Sequence, residues 1–70
     1  MNEIKFRQTM IENHDTQAAL ADAMGLPQSA ISARINGKID FRQSEINFII
    51  QRYGLTATQT REIFFDQEVS

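Results

Sequence analysis

Residues 16–38 read TQAALADAMGLPQSAISARINGK, a pattern that predicts two short helices joined by a tight turn. Thr16 is a good N-cap because its hydroxyl can accept from a free backbone N–H in the first turn. Gly25 follows the last apolar residue of the first helix, where a helix end favours a left-handed conformation. Pro27 suits the start of the second helix, since proline lacks the N–H that would have no partner there.

The two predicted helices cover residues 17–24 and 28–36, and three positions within this stretch have a specific spacing. Ala21 is small where two helices must cross closely, Gly25 follows in the turn, and Ile31 points back into the core. This is the spacing of a helix-turn-helix, whose second helix enters the major groove of DNA. The alternative is a helical hairpin in some other small all-α protein.

The stretch also resembles the phage repressor and Cro family, in the residues Thr16-Gln17, Leu20-Ala21, Gly25-Leu26, Ile31-Ser32 and Asn36-Gly37-Lys38. Two further segments are similar to small Cro-like proteins of phages of Gram-positive bacteria: Phe41-x-x-Ser44-Glu45-Ile46 and Glu62-Ile63-Phe64-Phe65. The resemblance implies a compact, all-α, five-helix repressor-like domain. It also implies a sequence-specific DNA-binding regulator of a lysis–lysogeny switch, acting in the cytoplasm of a bacterial host.

The 70 residues are expected to form one domain, with a frayed tail at residues 66–70. A core of this size is marginal, so tight helix packing or oligomerisation is expected. The sequence has no cysteine, which excludes disulfides and thiolate metal sites. Neither a signal-peptide pattern nor an apolar run of membrane-spanning length is present, and a cytoplasmic protein is therefore expected.

The net charge of −2 is unusual for a DNA-binding protein, but the charges are unevenly distributed. Residues 26–44 carry Arg34, Lys38 and Arg42 against Asp40 and are positive, whereas the segments before and after them are negative. The positive segment contains the predicted reading helix. Three cations are few, so non-specific attraction to phosphate should be weak.

A first helix is expected from Glu3 to about Asn13, with Ile4, Met10 and Ile11 packed inward and the place of Phe6 left open. A fourth helix, capped by Asp40 or Arg42, has an apolar stripe formed by Ile46, Ile49, Ile50 and Tyr53, with Phe48 off the stripe. Thr56 can cap a fifth helix over residues 57–64, with Ile63 inward.

The candidate recognition residues lie in and around the second helix of the motif. Glutamine pairs with adenine, serine contacts donors or acceptors, and alanine can touch a thymine methyl group. The candidate base contacts are Gln28, Ser29, Ser32 and Ala33, and the candidate phosphate contacts are Gln17, Arg34, Lys38 and Arg42. For Arg34, packing of its stem past Ile31 is the alternative.

A homodimer on a two-fold operator is expected, because one helix reads too few base pairs to be selective. Phe64 and Phe65 are the candidates for the dimer contact, with one ring closing the core and the other exposed. A core role for both is the alternative.

A second functional hypothesis is an anti-repressor or modulator that binds the cognate phage repressor protein instead of acting mainly on DNA. It is motivated by the acidic balance and by the small side chains of the reading helix. An enzyme is not expected, since the lone His14 and scattered carboxylates do not form the arrangement that acid–base chemistry needs. Neither a cofactor nor a metal is expected.

Overall fold

The computed structural model describes residues 1–65, and they form five α-helices with no strand. In chain order these are α1 (Glu3–Glu12), α2 (Gln17–Met24), α3 (Gln28–Ile35), α4 (Gln43–Tyr53) and α5 (Ala57–Phe64). The all-α, five-helix architecture is thus confirmed. The predicted fraying of residues 66–70 lies outside the described residues.

The helix boundaries follow the local signals in the sequence. Thr16 caps α2, where its hydroxyl accepts from the Ala19 N–H, and Thr56 caps α5 in the same way. Gly25 ends α2 in the left-handed conformation, at φ 70°. The Leu26 N–H then donates to the Ala21 carbonyl, which satisfies one of the free carbonyls at the end of α2.

The core is built from the inward faces of all five helices. Its fully buried side chains are Phe6, Leu20, Ile31, Ile35 and Ile49. Three aromatic rings close one end of this core: the Phe6 ring stacks on Phe41 with centroids 5.5 Å apart, and both meet the edge or face of Phe64. These contacts tie α1, the loop before α4 and α5 to one another.

The inward face of α1 differs from the expectation. Phe6 and Met10 are buried, whereas Ile4 and Ile11 are 71% and 72% exposed. The predictions for Ile4 and Ile11 are therefore wrong. The aromatic contacts of Phe6 fix the rotation of α1, and residues two before and five after Phe6 then fall near the opposite side of the helix.

The structure shows which of Asp40 and Arg42 precedes α4 as its N-cap. Arg42 occupies the N-cap position, but its side chain makes no capping hydrogen bond. Instead, the Arg42 backbone N–H donates to Oε1 of Glu45, three residues into the helix. This is half of a capping box, and it orders the segment that carries Arg42. Phe48 lies off the buried stripe and is partly exposed, as predicted.

Candidate nucleic-acid interface

The packing of α2 against α3 determines which face of α3 is exposed. Ala21 is 2% exposed on the buried side of α2, and it leaves room for a close helix crossing. Ile31 and Ile35 are buried on α3 and face the core. Because these two residues are four apart, they fix the rotation of α3 and leave the opposite face free.

The first turn of α3 presents polar side chains to solvent. Gln28 and Ser29 are exposed, while Ser32 and Ala33, one turn later, are partly buried. Pro27 precedes the helix and provides no side-chain cap, so the start of α3 is not covered by its own capping residue. Of the four candidate base contacts, Gln28 and Ser29 are thus the more exposed.

Ser32 and Gln17 are brought together from two different helices. The Ser32 hydroxyl donates a hydrogen bond to Oε1 of Gln17, with the two oxygens 2.6 Å apart. Gln17 is the first residue of α2, and both side chains are partly buried. The bond joins the start of α2 to the middle of α3, so a candidate phosphate contact and a candidate base contact are held next to each other.

Arg34 does not lie on this surface. Its guanidinium donates from Nε and Nη2 to the two carboxylate oxygens of Glu45, at 2.9 and 3.2 Å, and from Nη1 to the Ala30 carbonyl. Both side chains of the ion pair are nearly buried, at 10% and 12% exposure. The expectation that Arg34 contacts phosphate is therefore corrected: its charge is used to join α3 to α4.

Glu45 accepts hydrogen bonds from two residues at this junction, Arg34 and Arg42. Burial of its carboxylate raises its pKa, but hydrogen bonds from the Arg34 side chain and the Arg42 backbone outweigh burial, and the net pKa is lowered. Glu45 thus remains ionised at neutral pH. A pattern within α4 does not reveal this role of Glu45, because its partner Arg34 lies on α3.

Lys38 and Arg42 are the two cations that remain available near α3. Both side chains are exposed, and neither forms an ion pair with a carboxylate within residues 1–65. Arg61, on α5, is the third cation without an ion pair in this part of the chain. Because Glu45 neutralises Arg34, the segment 26–44 is less positive than its own sequence suggests.

The linker between α1 and α2 is held by a second polar cluster, centred on Asp15. Its carboxylate accepts two hydrogen bonds from Arg52, at 2.9 Å each, one from the Tyr53 hydroxyl and one from the Thr16 N–H. Chiefly through Arg52, these bonds lower the pKa of Asp15 to about 2 despite burial. The cluster fixes the start of α2, and hence Gln17, against the end of α4.

The pKa of Tyr53 is raised, first by burial and then by its contact with the Asp15 carboxylate. His14, next to Asp15, is exposed, and its backbone has a left-handed φ of 53°. The role of Asp15 was not predicted, because its partners lie 37 and 38 positions away in the sequence.

The two dimer candidates have different environments. Phe64 is partly buried and its ring contacts Phe6 and Phe41, whereas Phe65 is 51% exposed. Phe65 borders a shallow apolar groove with Ile50, Leu55 and Ala57. One ring therefore closes the core and the other is exposed, which excludes a core role for both rings.

No group of three or more His, Asp or Glu side chains within residues 1–65 is arranged to hold a metal ion. Among the helices of these residues, none has both the length and the apolar character needed to cross a bilayer.

Comparison with protein families matches residues 4–67 to the family DUF739, described as "Protein of unknown function". The chain belongs to DUF739. The match includes all five helices except the first residue of α1 and extends beyond the described residues, so the DUF739 domain corresponds to the fold described above. No curated protein and no solved structure was found to match the chain.

Proposed function

We propose that this protein is a sequence-specific DNA-binding regulator of transcription. In this proposal α3 enters the major groove of an operator, and two copies of the chain bind the two halves of a two-fold site. The observation that carries the proposal is the exposed polar first turn of α3, followed along the chain by Lys38 and Arg42, exposed cations without an ion pair among residues 1–65. The sequence resemblance described above suggests a Cro-like role in a phage lysis–lysogeny switch in the bacterial cytoplasm.

The proposed contacts divide into two groups by their chemistry. Gln28 offers both a donor and an acceptor and pairs with adenine, while Ala33 suits a thymine methyl group. Ser29 and Ser32 complete the group that contacts bases. The second group, Gln17, Lys38 and Arg42, contacts phosphates and fixes the position of α3 along the duplex.

Selection from a pool of duplexes with a random 30-base-pair core, at about 50 mM salt, tests the proposal. The wild-type protein should enrich a motif with two-fold symmetry. Lys38→Ala should weaken binding to the whole pool, because each phosphate contact contributes to counterion release. Lys5→Ala is the control, since it removes a cation of α1 that pairs with Glu62 on α5, outside residues 26–44, and should leave binding unchanged. Failure of the wild type to enrich any sequence would contradict the proposal.

One observation favours a second candidate function, an anti-repressor that binds the cognate phage repressor. The charge of Arg34 is neutralised by Glu45, and the acidic Asp40 lies in sequence between Lys38 and Arg42. A face with so little positive charge can meet the basic DNA-binding surface of another protein. Titration of the protein into the purified repressor tests this candidate. Tight binding together with no enrichment of DNA at low salt would favour it over the regulator.

A further inference from the structure

The hydrogen bond between Ser32 and Gln17 determines what Ser32 can offer to a base. A serine hydroxyl has one hydrogen to donate and two lone pairs that accept. The hydrogen of Ser32 is directed at Oε1 of Gln17, with the oxygens 2.6 Å apart. Only lone pairs therefore remain for a group that approaches from the exposed side of α3.

We propose that Ser32 reads DNA as an acceptor only, and so selects an exocyclic amine on the strand nearest α3. In the major groove adenine N6 and cytosine N4 are donors, whereas guanine and thymine present acceptors. Ser32 thus favours adenine or cytosine at one position and rejects guanine and thymine. The inference rests on the proposed function, because it requires α3 to lie in the major groove.

The environment of Gln17 supports this assignment. Turning the Ser32 hydroxyl towards a guanine or thymine oxygen would break the bond to Gln17 and leave a partly buried Oε1 without its donor. The amide nitrogen of Gln17 does not face Ser32, so its N–H groups remain available to donate to a phosphate. Phosphate oxygens can only accept hydrogen bonds. A phosphate at Gln17 therefore favours the amide orientation that keeps the Ser32 hydrogen occupied.

An acceptor-only Ser32 predicts a position of each half-site at which two bases are tolerated. A free hydroxyl can face either an amine or a carbonyl group of a base, but an acceptor alone favours bases that bear an amine. One position in each half-site is then occupied by adenine or cytosine on the near strand, with little preference between them. This pattern differs from the adenine expected opposite Gln28.

The experiment is sequencing of pools selected from the random duplex library by the wild type and three variants. Ser32→Ala removes the reader, and the position that changes in this pool is the one contacted by Ser32. Gln17→Met removes the acceptor for the Ser32 hydrogen at nearly constant side-chain length. Gln17→Glu keeps that acceptor but weakens overall affinity, since it places a negative charge near a phosphate.

In the wild-type pool, adenine and cytosine should be enriched about five- to tenfold over guanine and thymine at the Ser32 position. Ser32→Ala and Gln17→Met should reduce this preference to about twofold or less, and Gln17→Glu should retain it. Enrichment of guanine or thymine there by the wild type, an unchanged preference in Gln17→Met, or no position affected by Ser32→Ala would each overturn the inference.

These results are distinguishable from failure of the proposed function. A wild-type pool without any motif overturns both the proposed function and the reading by Ser32. A clear motif with the wrong base at the Ser32 position overturns only the latter. Circular dichroism of each variant confirms that changes in the selected sequence are not due to unfolding.

Discussion

Asp15 shows how a single side chain positions a distant surface. The carboxylate is 6% exposed and accepts hydrogen bonds from two residues of α4 and from the backbone that begins α2. Removal of this carboxylate would leave Arg52 and Tyr53 without their common partner. Asp15 therefore stabilises the fold and, through Thr16, keeps Gln17 in place.

The lowered pKa of Asp15 predicts how the free energy of unfolding depends on pH. The pKa of this carboxyl is about 2 in the folded protein, below the 3.8 of an unperturbed aspartate. Its contribution, about 2 kcal/mol, is fully present above the unfolded pKa and is lost as pH falls through the folded pKa. Asp15→Asn should thus lower the free energy of unfolding strongly at pH 7 and much less at pH 2, as measured by denaturant titration.

Asp22→Asn is the matched control for this measurement, because Asp22 is exposed on α2 and forms no ion pair within residues 1–65. It should change stability little at either pH. An equal loss for Asp15→Asn at pH 7 and pH 2 would show that the carboxylate's charge does not stabilise the fold.

The Arg34–Glu45 pair gives a second prediction for a single residue. Glu45→Ala leaves a guanidinium almost buried without its partner, and breaking a buried pair in this way costs about 3–5 kcal/mol. Arg34→Met in the same chain should restore part of this loss, since no unpaired charge remains. Denaturant titration of the two variants checks this. If Glu45→Ala is as stable as Glu12→Ala, an exposed control on α1, the ion pair has no structural role.

Short-range and long-range features of single residues differ in how well the sequence predicts them. The caps Thr16 and Thr56 and the left-handed Gly25 depend on neighbours within a few positions and were predicted. Asp15 and Arg34 depend on partners in α4, which a pattern within one segment does not show. The exposure of Ile4 and Ile11 has the same origin, because Phe41 and Phe64 decide how α1 is rotated.

Among the helices, the crossing of α2 and α3 determines the shape of the candidate interface. Ala21 is buried at this crossing and allows the two helices to pack closely. Ala21→Leu should lower the free energy of unfolding by about 1–3 kcal/mol, because the larger side chain has no space and must displace one of the helices. Thermal unfolding followed by circular dichroism measures the effect.

Ala18→Leu is the control on the same helix, since Ala18 is exposed. The same increase in side-chain volume there should leave the melting temperature nearly unchanged. A similar effect at both positions would mean that helix propensity, rather than the crossing, explains the loss.

The helix pair itself was predicted well from the sequence. The bounds of α2 were predicted correctly, and α3 is one residue shorter than expected because Asn36 is its C-cap. The sequence does not decide the start of α4, because Arg42 is a poor cap by itself and its N–H is satisfied by Glu45. The polar face of α3 was also predicted, but the ion pair of Arg34 with Glu45 was not.

In the proposed homodimer, Phe64 and Phe65 at the end of α5 have separate expected roles. Phe64→Ala removes a ring that packs against two others and should cost up to about 3–5 kcal/mol of stability. Phe65→Ala should leave stability nearly unchanged but weaken self-association, which analytical ultracentrifugation measures. A wild-type protein that stays monomeric at high concentration would exclude a dimer contact at Phe65.

The most direct test compares binding of one enriched duplex and one shuffled duplex by fluorescence anisotropy over a range of salt concentrations. The wild type should prefer the enriched duplex, and its affinity should fall as salt rises. Gln28→Ala should reduce that preference by a factor equivalent to about 1–3 kcal/mol. Lys38→Ala should weaken binding to both duplexes and lower the salt slope by about one unit. Equal binding of the two duplexes by the wild type, or equal losses on both for Gln28→Ala, would contradict reading of DNA by α3.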